Sequence, residues 1–320
     1  MPALSGDPLS AAGFGERWVL RVRQPDGSAA DVIGWLDSFT SNEVWVTTVD
    51  QSEHRIDRSA VLLARRAPPA RGAATPDRVS AEELERRSVP GWLALAEPLG
   101  KWTLRAAGGF TGRANSCHAV GDPGQPISAA ADRIVGFARQ RGIAPMAQVI
   151  TGSKQEQGLR ALGWTDTYVP VHVLAARLAD ILPDGPPPAG VRVTEELEPS
   201  WLNAYQQSRP NDADPDLLRM ILDGNPPRAF GSVGEPIFAI TRGHINGDWL
   251  GLAAIWTQPD HRRQGWAARL MLALGHWAAR RGARYVYLQV DVANPVAIST
   301  YQRLGFVRHH GYLYLAPPTP

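Results

Sequence analysis

At 320 residues with 44% hydrophobic side chains, the chain is long enough for two or three domains and too apolar for global disorder. Its 33 Lys and Arg against 31 Asp and Glu leave a formal charge of +2, without the basic surplus of a chain that wraps nucleic acid. Cys117 is the only cysteine, which excludes an intrachain disulfide and a cysteine-based metal cluster.

Residues 1–15 lack the basic-then-apolar order of a signal peptide, and no run approaches the roughly 18 apolar residues of a membrane span. A cytoplasmic setting is expected. Five β-rich runs follow, at residues 18–23, 31–36, 43–49, 54–57 and 61–64. Their spacing suggests a small all-β barrel with the pattern of the SH3-like barrels. Trp35 and Trp45 read as core residues, with a ligand groove as the alternative. Two proline-rich stretches, 66–76 and 182–190, read as linkers. They divide the chain into residues 1–70, 77–185 and 190–320.

The third segment alternates strands and helices. Strands are expected at 191–194, 228–232, 237–241, 249–257, 285–290 and 306–315, and short helices at 201–207, 216–222 and 294–304. A longer helix begins near Gly265, where Ala267, Leu270, Met271, Leu274, Trp277 and Ala278 follow the i, i+3, i+4, i+7 spacing of one buried face. The middle segment echoes it. Residues 137–142 (Phe-Ala-Arg-Gln-Arg-Gly) resemble 277–282 (Trp-Ala-Ala-Arg-Arg-Gly), and 159–164 (Leu-Arg-Ala-Leu-Gly-Trp) resemble 301–306 (Tyr-Gln-Arg-Leu-Gly-Phe). The echo points to duplication.

Residues 258–267, Gln-Pro-Asp-His-Arg-Arg-Gln-Gly-Trp-Ala, join a strand to this long helix. The first turn of a helix leaves about four N–H groups unpaired at the positive end of its dipole, which suits a pyrophosphate. Gly265 and Ala267 keep that approach slim, and Arg262 and Arg263 add charge-assisted donors. The loop is neither a Walker loop nor a GxGxxG fingerprint. Taken alone, it fits a phosphate site or a solvated turn equally. Downstream, Asn294 and Pro295 start a helix and Gly305 ends one, as local structure requires. Local structure does not explain Tyr301, seven residues after Asn294 and just ahead of Gly305-Phe306.

Together the two features resemble the GNAT superfamily of acyl-CoA-dependent N-acyltransferases. Arg262, Gly265 and Ala267 match its Gln/Arg-x-x-Gly-x-Gly/Ala signature, with Pro259 upstream. Asn294, Ala297, Tyr301, Gly305 and Phe306 match its later helix. The resemblance implies an α/β (α+β) architecture: a GNAT fold with a mixed, splayed sheet at the C-terminus and a degenerate GNAT-like middle domain behind a small SH3-like barrel. The middle segment has Gly121-Asp-Pro-Gly-Gln-Pro126 where a phosphate loop belongs, so one cofactor per chain is expected.

The resemblance further implies acetyl-CoA as cofactor and a primary amine, on a small molecule or a protein lysine, as acceptor. Backbone groups of Ile255, Trp256 and Thr257 would hold the pantetheine and polarise the thioester. Residues Arg262, Arg263, Gln264, Gly265, Trp266, Ala267 and Ala268 would hold the pyrophosphate, and Asn294 the pantetheine arm. Tyr301 would protonate the leaving thiolate. The amine would attack directly, leaving Cys117 as a buried small residue.

A glutamate usual in the family is absent from strand 249–257, and Asp291 is the nearest candidate base, with Glu235 and Asp248 poorer. A water relay or a residue of the middle domain is the alternative. The polar run 113–116 reads either as a lining of the acceptor cleft or as an exposed strand end. His309 and His310, adjacent on a strand, are expected on opposite faces. The rival to an N-acetyltransferase is a non-catalytic acyl-CoA-binding regulatory protein. A barrel that docks a protein is a third reading.

Overall fold

The computed structural model describes residues 9, 17–39, 42–48, 53–67, 79–92, 94–209 and 213–318. Most of the first proline-rich stretch, and the side chain of Trp35, lie outside the described residues. No described helix is long and apolar enough to cross a membrane.

The five N-terminal runs form β1 (Arg17–Arg23), β2 (Ala29–Phe39), β3 (Glu43–Thr48), β4 (Glu53–Asp57) and β5 (Val61–Arg66). They make one antiparallel sheet in the order β4-β3-β2-β1-β5. Trp18, Leu20 and Val22 alternate inward along β1 and meet Val44, Val46, Ile56 and Val61. A single 3-10 turn, whose first N–H groups are capped by Asp57, joins β4 to β5. Trp45 is half-buried, and the Arg55 guanidinium lies 5.6 Å above its ring.

The middle segment contributes α1 (Ala81–Ser88), β6 (Leu95–Leu99), β7 (Trp102–Ala106), β8 (Cys117–His118), α2 (Ile127–Gln140), β9 (Ala147–Ile150), α3 (Lys154–Ala161), β10 (Thr165–Asp166), β11 (Val171–Arg177) and α4 (Leu178–Ile181). The third contributes β12 (Arg192–Thr194), α5 (Pro199–Ser208), α6 (Pro215–Asp223), β13 (Arg228–Val233), β14 (Ala239–Asn246), β15 (Trp249–Thr257), α7 (Trp266–Ala279), β16 (Tyr285–Asp291), α8 (Pro295–Arg303) and β17 (Val307–Ala316). All twelve strands share one sheet in the order β12-β13-β14-β15-β16-β11-β17-β9-β8-β7-β6, with β10 paired to β17.

The echo in the sequence is an echo in space. The strand–helix–strand unit β8–α2–β9 is parallel, and so is β15–α7–β16. Both helices end in the same way. The N–H of Ile143 reaches back to Ala138 O and that of Ala283 to Ala278 O, each at 3.1 Å. After the next helices, Trp164 N–H bonds Leu159 O and Phe306 N–H bonds Tyr301 O, again at 3.1 Å. These are the closing bonds of a helix stopped by a left-handed residue, here Gly142, Gly282, Gly163 and Gly305. The copies then diverge: the place of Tyr301 is held by Leu159.

Each repeat gives its last strand to the other. β11 of the middle segment lies between β16 and β17, while β17 of the third segment lies between β11 and β9. α1 ties the segments again: Asn246 Nδ2 donates to Arg87 O, and Arg87 pairs with Asp248 at 3.3 Å.

Alternation along β14 separates two faces. Gly243 packs toward Leu274 and Trp277 of α7. The neighbouring even-numbered residues Ile240, Arg242 and His244 point the other way. Ile240 joins Trp201, Tyr205, Leu218 and Leu222 of α5 and α6, Arg242 and His244 lie against Trp92 and Gly91, and the odd face takes α7.

One expectation is corrected. His309 and His310 do not point apart: their Nδ1 atoms lie 2.8 Å from each other. β17 is bulged here, since Val173 faces His310 and Leu174 faces Arg308, so His309 is the extra residue and the alternation breaks. The pair continues inward, with His310 Nε2 3.0 Å from Glu85 Oε1.

Candidate active site

β15 stays paired to β14 as far as Thr257 but leaves β16 after Leu252. β16 in turn follows β11 through to Asp291. The two parallel strands therefore part in the middle of the sheet, and the backbone of Ala253–Thr257 on one lip pairs with no strand on that side. The cause is local. Between Ile240 and Arg242 of β14 the facing strand inserts an extra residue, and Ala254 takes φ 52°, a left-handed conformation that costs a non-glycine residue about 1 kcal/mol or more. Thr241 Oγ1 donates to Ala253 O at this bulge. Ile255, Trp256 and Thr257 are half-buried along the lip.

The loop after β15 turns twice through left-handed residues, Arg263 (φ 63°) and Gly265 (φ 79°), before α7 begins at Trp266. The backbone N–H groups of residues 263–268 find no acceptor among the described residues. They gather at the start of a 14-residue helix, where the dipole favours an anion. No side chain caps this start, and a β-carbon on Gly265 would meet nothing within 4 Å, so the backbone is open to a ligand. The donor set fits a pyrophosphate.

Three of the named side chains are occupied within the loop. Arg262 Nε donates to Thr257 O at 3.0 Å, Gln264 Oε1 accepts from Trp266 Nε1 at 3.2 Å, and the Arg269 guanidinium lies 4.7 Å above the Trp266 ring. Arg263 is exposed, and Ala267 and Ala268 are half-buried on the first turn of α7.

Across the opening, Asn294 Oδ1 accepts from Ala297 N–H at 3.1 Å and caps α8. Tyr301 is buried in the same apolar cluster as Leu252, Leu288 and Val290, against which Ile255 packs. Burial pushes its phenol up to about 12, with the Arg209 cation opposing. The phenol is protonated throughout the neutral range.

Asp291 ends β16, exposed, and its carbonyl accepts from Asn294 N–H. Asp248 sits at the far end of β15, held by Arg284 at 2.6 Å and by Arg87. Glu235 is exposed beside the β13–β14 turn. Burial pushes the Cys117 thiol up to about 12, which removes its nucleophilic form at neutral pH.

The sequence hid several buried charged groups. Arg242 is fully buried, and burial pulls it down to about 10, still a cation at neutral pH. Glu85 is also fully buried. Burial alone would raise its pKa, but the imidazoles of His118 (3.4 Å) and His310 (3.0 Å) outweigh that and hold it at about 2. Gln148 Nε2 donates to the same carboxylate at 2.7 Å. In the sequence Glu85 stands among Glu82, Glu83, Arg86 and Arg87, like any solvated helix face.

A bulged fourth strand, a V-shaped parting from the next strand and a helix start rich in free N–H groups define the fold of the GNAT N-acyltransferases. Residues 81–315 match the family model described as "Probable histone acetyltransferase Rv0428c C-terminal", and the chain belongs to that family. It is therefore an acyltransferase. The "Uncharacterized N-acetyltransferase YobR" of Bacillus subtilis (strain 168) is 26% identical over 243 residues, which cover 72% of this chain and 96% of that protein. The streptothricin acetyltransferase of Streptomyces lavendulae is 32% identical over 111 residues, 29% of this chain and 59% of that protein. A solved structure of a GCN5-related N-acetyltransferase from Kribbella flavida superposes with a TM-score of 0.56 at 18% identity, covering 75% of this chain and 96% of that one, and shares the fold.

Proposed function

We infer that the chain transfers the acetyl group of acetyl-CoA to a primary amine by direct attack, with one cofactor bound per chain. The observation that carries this is the set of N–H groups at 263–268 without an acceptor among the described residues, on the loop that follows the splayed lip, whose Ile255 packs on the cluster that holds Tyr301. Residues Arg262–Ala268 hold the pyrophosphate, with Arg262 bracing the loop through Thr257 O rather than acting on phosphate alone. The unpaired lip at Ile255, Trp256 and Thr257 supplies fixed backbone dipoles to the thioester carbonyl. Asn294 borders the pantetheine arm.

Tyr301 donates a proton, or a strong hydrogen bond, to the departing thiolate sulfur. Its raised pKa makes full transfer uphill, so the hydrogen bond is the larger part of its effect. The base for the attacking amine is water-relayed, since Asp291 is exposed and Asp248 is held by two arginines. Residues 77–185 serve as a wall of the acceptor cleft, and 1–70 as an appended barrel.

Calorimetric titration with acetyl-CoA and thiol release against a panel of amines test the reading together. One-to-one binding with amine-dependent thiol release is expected. Binding with no transfer to any amine sinks it in favour of a regulatory acyl-CoA module.

A further inference from the structure

The middle repeat spends much of its polar chemistry on the loop 107–116. Asn115 Oδ1 accepts from Ala107 N–H and Gly109 N–H at 2.7 and 2.8 Å, and its Nδ2 donates to Phe110 O and Thr111 O. Ser116 Oγ donates to Gly112 O, while Arg105 grips both Ser116 and Gln148. Gly108 (φ 59°) lets the loop press on α6, where a β-carbon would stand 2.4 Å from Leu217 Cδ2. A loop sewn this tightly holds what it presents.

It presents Phe110 and Arg113 to the third segment. Phe110 meets Tyr205 edge-on at 6.3 Å and packs on the cluster that also holds Ala254 and Trp256 of the splayed lip. Arg113 lies 5.5 Å over the Trp92 ring, and Arg242 lies 5.4 Å over the same ring. No carboxylate among the described residues pairs with either arginine. Arg113 is half-buried, yet its Nε is sealed from solvent and has no hydrogen-bond partner. The buried Tyr312 hydroxyl lies beside the Arg113 guanidinium and interacts with it. Arg242 adds a second such atom, Nη2.

A buried donor left unpaired is costly, and guanidinium N–H groups beside a phenol suit a carboxylate's two oxygens. We propose that Arg113 and Tyr312, backed by the Arg242 cation, form a subsite for a carboxylate carried by the amine acceptor, which makes the acceptor an amino acid or another small amino carboxylate. The middle repeat, having no phosphate loop, thereby selects the substrate of its partner repeat. This rests on the acetyltransferase reading, since the subsite is placed relative to the lip at Trp256.

The test titrates N-acetylglycine, N-acetylglutamate and Nα-acetyllysine, each against its α-carboxamide, into the full chain in excess coenzyme A. At least one acid is expected to bind about tenfold or more tightly than its amide. Arg113→Gln is expected to abolish that preference, Tyr312→Phe to reduce it, and Arg113→Lys to keep part of it. If Arg113→Gln fails a thermal-melt check, Arg113→Lys and Tyr312→Phe carry the comparison. Equal binding of acids and amides, no binding of any acid, or a preference that survives in all three variants overturns the proposal. Thiol release with the parent amines is read separately. Transfer without acid preference removes the subsite and leaves the acetyltransferase. Acid preference in binding without thiol release does the reverse.

Discussion

Arg262 Nε donates to the Thr257 carbonyl at 3.0 Å, so the last residue of the splayed strand and the first of the loop proposed to bind the cofactor are one hydrogen-bonded unit. The loop's shape thus depends on a side chain that is also proposed to act on the cofactor's phosphates. Arg262→Ala is expected to weaken coenzyme A roughly tenfold, and Arg262→Lys to recover little, because a point charge cannot both brace the carbonyl and face phosphate. Calorimetry at two salt concentrations checks it. An affinity within twofold of the parent leaves the bracing without consequence.

Tyr301→Phe removes one oxygen from a buried site and keeps the ring against Phe306, 6.2 Å away. Turnover is expected to fall by about one to three orders of magnitude while acetyl-CoA binding stays within twofold. Steady-state kinetics and titration on the same preparation separate the two.

Six of the seven tyrosines, Tyr205, Tyr285, Tyr287, Tyr301, Tyr312 and Tyr314, have phenols raised by burial above the ordinary value of 10. In the window above pH 10 the unfolded chain loses these protons and the folded chain keeps them. Their contribution is complete below pH 10 and is lost as pH rises through the folded values. Urea midpoints are expected to fall steeply between pH 10 and 11.5. A flat profile there would contradict the dry packing of these rings.

On the acid side two windows follow one another. Burial, then the Arg242 cation, pull His244 from 6.5 to about 4, so it is neutral when folded and its site loses stability as pH falls from 6.5 to 4. The loss is on the order of 3 kcal/mol. Glu85, held at about 2 against an ordinary 4.5, contributes stability above pH 4.5 that disappears as pH falls toward 2. His244→Leu is expected to flatten the first window and Glu85→Gln the second. Unfolding curves at pH 7, 5 and 3.5 assign each loss.

The exchange of β11 and β17 makes residues 190–320 incomplete on their own. Alone, they leave β16 with an unpaired edge after β15 and strip β17 of both β11 and β9. The fragment is expected to aggregate when expressed by itself and to stay in solution when co-expressed with residues 77–185. Size-exclusion chromatography of both preparations decides this.

Local chemistry determined much of this protein. The apolar face of α7, the Asn294 cap, the proline after it and the glycine stops at Gly142, Gly163, Gly282 and Gly305 are short-range features, each fixed by residues within one or two turns, and the sequence shows them all. The free N–H groups of the 263–268 loop were legible for the same reason, since they are consecutive groups of one backbone segment. Only the tertiary structure decided the strand exchange, the bulge that turns His309 and His310 together, the burial of Glu85 and Arg242, and the sealing of Arg113 Nε. A charged residue reads as solvated until a distant segment covers it, and the segment covering these residues comes from the other repeat. That is why the loop proposed for the cofactor is written along the chain, and the residues proposed to select the acceptor are assembled across it.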